Sequence, residues 1–499
     1  VRRAPALLEW AGSVLGPAAV AAALKPTLFA HFCAGENEAE VLPVMQRLKA
    51  RGVGGILDYA AEADLVAEAP EPPAGAKAKS ARESYADGAV QCRVYDYISE
   101  AVCDRNRDSF LSAIRTVRNT SPRGFAAIKA TALGHPTLMD RTSTALMEVR
   151  RLFKRFDQRG DGRVTQDDFA AAYQQLFRDS SPQRMDQVFR HLDTGGDGHI
   201  DYLEWSKQLR LDVMHAVVGR FRGEAGKAGE RFKEAVLEEE ELQLFAAMRE
   251  RLRELVHEAA KADVRVMVDA EHTYFQPAID QLVLELQREY NGEGQTVVYN
   301  TYQTYLRSCE RRLDLDIQRA EREGFAFGAK LVRGAYLVLE RERAREKGYS
   351  DPVHPDFEAT TGSFHRSIDR MLQCVAAGGG GLMVASHNRD SVAHTLAGMA
   401  EHGIPPGGFD GGRGSTVSFG QLFGMADDIT FSLGQQGYCV FKYLPYGRVD
   451  QVVPYLIRRA QENSEVLSGS GQESRMIRQE LQRRLLAPRD HEPATSQPS

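Results

Sequence analysis

The run Val264-Arg-Val-Met-Val-Asp269 sets the pattern on which the chain is built. It is short, β-branched and apolar, it closes on a carboxylate, and helix-length sequence follows it, as expected of a buried strand feeding a helix. The same beat recurs at Thr296-Val-Val-Tyr-Asn300, Ala329-Lys-Leu-Val-Arg333, Leu382-Met-Val-Ala-Ser386, Ser415-Thr-Val-Ser-Phe419 and Cys439-Val-Phe-Lys-Tyr443. Upstream, Gly55-Ile-Leu-Asp58-Tyr59 and Gly124-Phe-Ala-Ala-Ile-Lys129-Ala-Thr bring the count to eight. Eight strand–helix units predict an α/β chain whose strands close into a (β/α)8 TIM-like barrel instead of an open doubly wound sheet. No G-x-G-x-x-G follows any of these runs, which argues against a Rossmann dinucleotide site. The glycines Gly378 to Gly381 precede a strand and read as a flexible turn.

With 499 residues, 42% of them hydrophobic, the chain has material for one large domain with additions, and a disordered or fibrous protein is excluded. A net charge of −6 from 63 basic and 69 acidic residues gives no field suited to nucleic acid and no polybasic block for anionic lipid. A small anionic substrate therefore needs a local clamp. The six cysteines are scattered without a C-x-x-C pair, which favours a reducing compartment. Between Leu7 and Leu24 the chain is apolar and Ala-rich, but Glu9 and Pro17 interrupt it, so it is a poor membrane span and a reasonable surface helix.

Five regions follow: an N-terminal helical arm over 1–50, the start of the barrel over 51–143, an insertion over 144–218, the rest of the barrel over 219–467, and a tail over 468–499. The first barrel region contains Ala69-Pro-Glu-Pro-Pro-Ala-Gly-Ala-Lys-Ala-Lys-Ser80, a stretch near 69–87 too poor in apolar residues to bury a core, and a helix from about Ile98 to Arg118. Within the insertion, Asp157 to Asp168 and Asp193 to Glu204 each match the twelve-residue EF-hand frame, with acids at positions 1, 5 and 12 and glycine at 6 (Gly162, Gly198). Loop one would offer Asp157, Asp161, the Arg163 carbonyl, Thr165 and Asp168. Arg159 stands where an oxygen belongs and Asp168 is short for two-point contact, so this loop is expected to bind weakly or stay empty. Loop two would offer Asp193, Asp197, the His199 carbonyl, Asp201 and Glu204; water would have to replace the side chain missing at Gly195. Calcium in loop two and a purely structural helix pair are both open readings.

In a barrel enzyme, chemistry sits at the C-terminal strand ends. Those ends carry Lys129, Asp269 and Glu271, Gln303, Lys330 with Arg333 and Tyr336, His387 with Asn388, Gln421, and Tyr443. Beyond the last strand, Tyr455, Arg458, Arg459 and Glu462 stand at i, i+3, i+4 and i+7, forming one polar stripe if helical. Paired guanidinium forks suit a carboxylate or phosphate, whereas Glu462 could equally pair with Arg458 and Arg459 on a solvated face. His387 could be a satisfied structural histidine, and Asp269 with Lys129 a buried pair fixing the barrel mouth.

Ile128-Lys129, Met267-Val-Asp269-Ala-Glu271, Leu331-Val-Arg333-Gly-Ala-Tyr336, Ala385-Ser-His387-Asn388, Lys442-Tyr443-Leu-Pro-Tyr-Gly447 and Tyr455-Leu-Ile-Arg458-Arg459-Ala-Gln-Glu462-Asn463 together resemble the proline dehydrogenases. The likeness runs from about Ala30 to Leu467, apart from the linker and the insertion, and is closest to the mitochondrial monofunctional type, as in His31-Phe-Cys-Ala-Gly35. It implies FAD held non-covalently in the barrel, oxidation of L-proline to 1-pyrroline-5-carboxylate, and ubiquinone as electron acceptor. Peripheral contact with the matrix side of the inner mitochondrial membrane is also implied. By the same resemblance, Arg458, Arg459 and Lys129 hold the substrate carboxylate, Tyr443 and Tyr455 wall the ring, Glu462 orients the arginines, and Asp269 pairs with Lys129. Gln303, Lys330, Arg333, Gly334, Ala335, Tyr336, His387, Asn388 and Gln421 line the flavin. Bacterial members usually have Arg where Lys330 stands. Hydroxyproline-preferring relatives tend to have a small polar residue where this chain has Tyr443, so proline is expected over 4-hydroxyproline. From a different class, the competing reading is a calcium-dependent interaction protein on an inactive barrel.

Overall fold

Every one of the eight runs forms a strand, and together they close a barrel. The computed structural model describes residues 17–60, 63–64, 93–94, 99–121, 123–208, 237–292, 295–408, 416–453 and 455–459. The barrel strands are β1 (Gly54–Tyr59), β2 (Phe125–Ile128), β3 (Arg265–Val268), β4 (Val298–Gln303), β5 (Phe327–Val332), β6 (Gly380–Ala385), β7 (Val417–Leu422) and β8 (Val440–Tyr446). All pairings are parallel and join chain neighbours, and β1 completes the circle on β8 with Gly54 opposite Phe441 and Tyr59 opposite Tyr446. Parallel neighbours require crossover segments, which the intervening helices supply.

Alternate side chains point into the barrel. Ile56, Phe125, Ala127, Met267, Tyr299, Met383, Cys439 and Phe441 pack there as one buried cluster. Their neighbours Leu57, Ala126, Val266, Val298, Leu331, Val384 and Val440 belong to the larger core between strands and helices. Glycine makes room for the central aromatics, because a Cβ on Gly381 would lie 2.3 Å from the Tyr299 hydroxyl. A Cβ on Gly380 would lie 1.9 Å from the Phe327 carbonyl oxygen. The expected flexible turn at Gly378 to Gly381 is corrected accordingly: Gly380 and Gly381 are strand residues, small because β5 and Tyr299 press against them.

Between β2 and β3, α1 (Pro136–Phe156), α2 (Gln166–Leu176), α3 (Pro182–Leu192) and α4 (Tyr202–Gln208) form a separate module. Positions 7 to 9 of each twelve-residue loop form a three-residue strand, Arg163–Thr165 and His199–Asp201, and the two strands pair antiparallel with Val164 opposite Ile200. Gly162 and Gly198 have φ of +83° and +78°, the left-handed turn that the frame assigns to glycine. Phe156, Phe169, Tyr173, Phe189 and Trp205 fill its own core. The boundary expected at 144 falls inside α1, which runs unbroken from barrel to module; Ser143 accepts a hydrogen bond from the Ala278 amide at 3.1 Å on the barrel side.

At the barrel mouth, residues 449–453 and 455–459 are helical, and Val452, Tyr455 and Leu456 pack on Phe29, Phe32 and Cys33 of the N-terminal helical segment. The linker Ala69 to Ser80, Glu462 and the tail lie outside the described residues. Gly380→Val should destabilise the chain by about 3 kcal/mol, because the obstructing Phe327 carbonyl is ladder backbone and cannot rotate away. Urea unfolding followed by far-UV circular dichroism measures this, and an unchanged midpoint would mean that β5 and β6 are less closely apposed.

Candidate active site

Two residues further along each strand from the inward core, the same face reaches the mouth. Ile56 leads to Asp58, Ala127 to Lys129, Met267 to Asp269, and Phe441 to Tyr443. Asp269 is their meeting point. It accepts hydrogen bonds from the Tyr443 hydroxyl at 2.7 Å and Lys129 Nζ at 3.4 Å, and its other oxygen pairs with Lys330. Lys129 also contacts Asp58 Oδ1 at 3.3 Å. Burial by itself would raise the Asp269 pKa, but Lys330 and Lys129, with the hydrogen bonds from Lys330 and Tyr443, outweigh it and hold the carboxyl at about 2. Burial and then the carboxylates of Asp269 and Asp58 push the Tyr443 phenol well above its ordinary value, so it remains a donor.

Glu271 lies behind this group. It accepts from the Thr131 amide at 3.1 Å and the Thr131 hydroxyl at 2.6 Å, and so pins the turn Ala130–Leu133 that follows Lys129. Burial raises its carboxyl to about 7 despite those bonds.

The last helix brings Tyr455, Arg458 and Arg459 to the same mouth. Tyr455 and Arg459 are buried, and the guanidinium carbons of Arg459 and Arg458 lie 5.2 and 5.9 Å from the Tyr455 ring centre. The Tyr455 hydroxyl is buried without a hydrogen-bond partner among the described residues. Burial, then Lys442, then Arg459 lower His387 to about 4, which places Arg459 near the end of β6. Neutral His387 accepts from the Leu422 amide at 3.0 Å.

Arg333 occupies a hydroxyl cradle, donating to Ser386 and Thr361 at 3.2 Å each and to Ser391 at 3.1 Å. Among the described residues it has no carboxylate partner, and its Nε is buried without an acceptor. Gln303 donates to the Glu271 carbonyl at 2.7 Å while its own Oε1 is buried and unpartnered. At Gly334 φ is +130°, and a Cβ would fall 1.5 Å from a Tyr305 ring carbon. A cation without a counter-charge, orphaned polar atoms and close-lying backbone fit a planar polar group bearing phosphate. Ala335 follows, and the Tyr336 ring lies 4.3 Å from that of His272.

Two cofactor expectations land elsewhere. Gln421 lies on the helix-facing side of β7 with Phe419; it donates to the Ser386 carbonyl at 3.2 Å and accepts from Thr430 at 3.0 Å. Asn388 caps the next helix, accepting from the Ser391 amide at 2.8 Å. Asp58 is the residue that motif spacing missed. Its signal was present: it stands two residues after Ile56 on an inward face, where an acid has no packing reason to be.

In the inserted loops, cations of the module and of the barrel occupy three of the carboxylates. Asp201 pairs with Arg322 of the barrel, Asp197 with Arg163 at 2.8 Å, and Asp168 with Arg159 at 3.4 Å. Glu204 accepts from the Gly195 amide at 2.7 Å, and Asp193 from the Gly196 amide at 2.7 Å. Among the described residues no group of three or more His, Cys, Asp and Glu side chains is gathered as a metal site. His199, Asp161 and Thr165 sit in the loops at their expected positions.

The family model of proline dehydrogenase matches residues 94–472. The mitochondrial proline dehydrogenase 1 of Drosophila melanogaster is 37% identical over 525 residues, covering 96% of this chain and 75% of that protein. The hydroxyproline dehydrogenase of Bos taurus is 47% identical over 267 residues, but covers only 53% of this chain and 56% of its own. In fold, the chain resembles the crystal structure of proline utilization A from Bdellovibrio bacteriovorus inactivated by N-propargylglycine. That likeness has a TM-score of 0.55 at 15% identity, covering 89% of this chain and 34% of that one, about a third of its length.

Asp269→Asn should cost about 3 kcal/mol, since it leaves buried Lys330 without its counter-charge. The folded Asp269 pKa is depressed from 3.8 to about 2, so its stabilisation is present above the unfolded value and is lost as pH falls from near 4 through about 2. Urea titrations of both proteins across that window should show the difference shrinking with acid; a pH-independent difference would disprove the ion pair.

Proposed function

The chain belongs to the proline dehydrogenase family, and we propose that its barrel mouth oxidises L-proline to 1-pyrroline-5-carboxylate with FAD as the bound cofactor. A bound flavin would supply the hydride acceptor for carbon 5 of the ring. The rest is positioning. The observation that carries the proposal is Asp269, bonded at once to Lys129, Lys330 and Tyr443, with Arg458 and the buried Arg459 set around Tyr455 on the last helix. Lys129 and Lys330 are matched by Asp58 and Asp269, and the paired forks of Arg458 and Arg459 suit the carboxylate that a substrate would bring.

Arg458, Arg459 and Lys129 would hold the proline carboxylate, with Glu462 orienting the arginines. Asp58 and Asp269 fix the Lys129 ammonium from two sides, so it needs no reorganisation when the carboxylate arrives. Tyr443, tied to Asp269, and Tyr455 would wall the ring and exclude water. Arg333 and its hydroxyl cradle would take the cofactor phosphates. Gln303, Lys330, Gly334, Ala335, Tyr336 and His387 would line the cofactor, while Asn388 and Gln421 support that wall from behind.

A second reading is 4-hydroxyproline as substrate, favoured by the higher local identity to the hydroxyproline dehydrogenase of Bos taurus. The Tyr443 phenol argues against it, because its ring is held by the bond to Asp269 and would meet a hydroxyl on ring carbon 4. Ubiquinone is the proposed electron acceptor. The proposed location is mitochondrial, on the matrix side of the inner membrane with peripheral contact; among the described residues no helix is long and apolar enough to cross a membrane. Calcium enters the proposal at loop two alone, where Asp193, Asp197, Asp201 and Glu204 would take it only by giving up Arg163 and Arg322. Equal activity and melting temperature in chelator and in millimolar calcium, for native protein and Glu204→Gln alike, would remove it.

Anaerobic addition of L-proline should bleach a flavin absorption band of the purified protein; a colourless protein that releases no flavin on denaturation would defeat the proposal. Arg458→Met should raise the KM for proline roughly tenfold or more by removing a charge-assisted bond, and an unchanged KM would show that the helix does not face the substrate. Tyr443→Ser should shift the kcat/KM ratio toward 4-hydroxyproline, and no shift would separate Tyr443 from substrate choice.

A further inference from the structure

A second cationic site lies away from the barrel mouth, in the seam between the inserted module and the barrel. There, α1 and the loop after it, the first residue of α4, and α5 (Cys309–Glu323) enclose a cavity of about 290 Å³. Its lining includes Arg150, Phe153, Lys154, Asp157, Tyr202 and Arg311. Arg150, Phe153, Lys154 and Asp157 are spaced i, i+3, i+4 and i+7, so one face of α1 and the residue closing it form the wall. Arg311 comes from the barrel side.

The charges of this seam are otherwise neutralised pair by pair. Along α5, Arg312 pairs with Asp280, Arg319 with Asp316 at 3.8 Å, and Arg322 with Asp201; on α1, Arg151 pairs with Glu148. Arg150, Lys154 and Arg311 have no carboxylate partner among the described residues, and all three line the cavity. Arg150 and Arg311 both lie close enough to Tyr202 to act on its hydroxyl, together with the Arg319–Asp316 pair. Asp157, the single acid of the lining, is turned into its own loop: Oδ2 accepts from the Gly162 amide at 3.0 Å and Oδ1 is buried. Among the cations is an aromatic surface. The Tyr202 ring stands edge-on to Phe153 with centres 5.4 Å apart, and Arg150 lies 5.5 Å from the Tyr202 ring centre.

We propose that this seam cavity binds a small organic oxyanion, a phosphate or carboxylate group carried on a flat apolar body. The oxyanion sits among Arg150, Lys154 and Arg311, and the body packs on Tyr202. Guanidinium forks from two different elements meet such an anion in two-point contact, which ties the module to the barrel. The volume of about 290 Å³ admits one ring with its anionic group. The site does not depend on the reading of the barrel mouth.

Calorimetric titration of the purified full chain at low salt tests it, with phenyl phosphate and benzoate as probes. We expect one equivalent of at least one probe to bind saturably, and its affinity to fall about tenfold in Arg311→Gln and in Lys154→Gln, each losing one charge-assisted bond. The same equivalent should persist in Arg458→Met. A preference for phenyl phosphate identifies a phosphoryl ligand and a preference for benzoate a carboxylate. Arg311 and Lys154 are exposed, and far-UV circular dichroism checks that both variants fold. Absence of saturable binding by both probes overturns the proposal. So does binding that survives both substitutions, or that Arg458→Met abolishes.

Discussion

Everything at the barrel mouth depends on one carboxylate, Asp269, being shared by two lysines and a phenol. Taking two ammonium groups and a carboxylate out of water is expensive, and it is recovered only when every charge is matched at short range. The strands meet that condition by alternation. Asp58, Lys129, Asp269 and Tyr443 each stand one inward step beyond a core residue, so the packing that closes the barrel also fixes the distances between charges. The constellation is therefore preorganised.

That alternation also explains what could be read in advance. The eight strands were legible because buried parallel strands are continuous apolar runs bounded by polar residues. Inward or outward facing at strand ends was harder to read. Lys330 and Gln421 are both polar residues in late strand positions, yet Lys330 follows Gly328 on the inner face while Gln421 follows Phe419 on the outer one. Asp58 was passed over because its run was read as a strand without chemistry, although its parity with Ile56 placed it inside. Gly380 was misread for a related reason. Glycine marks a turn far more often than it marks the close approach of a neighbouring backbone, and only the register with Phe327 distinguishes the two.

Partners distant in the chain were not legible at all. The loops of the module could be recognised by spacing, since the glycine turn and the position of each acid are local requirements. Their charge partners were not local: Arg322, which holds Asp201, lies on a barrel helix 121 residues away. An acid at a ligand position is thus compatible both with a cation site and with a docking contact, and only the assembled fold says which contact is made.

The helix α5 then takes on a role that its sequence, a run of alternating charges, does not announce. On one side it holds β4, because the Tyr302 hydroxyl donates to Asp316 at 2.8 Å. On the other it receives the module through Arg322, and through Arg319, which donates to Ser206 at 3.3 Å. Strand β4 ends on Gln303, whose amide fixes the Glu271 carbonyl beside Asp269. A shift of the module along α5 therefore has a continuous path of packed and bonded groups to the mouth. The module thus also meets the barrel at α5, through Arg322 and Arg319, and Arg311 lies on that same helix at the cavity.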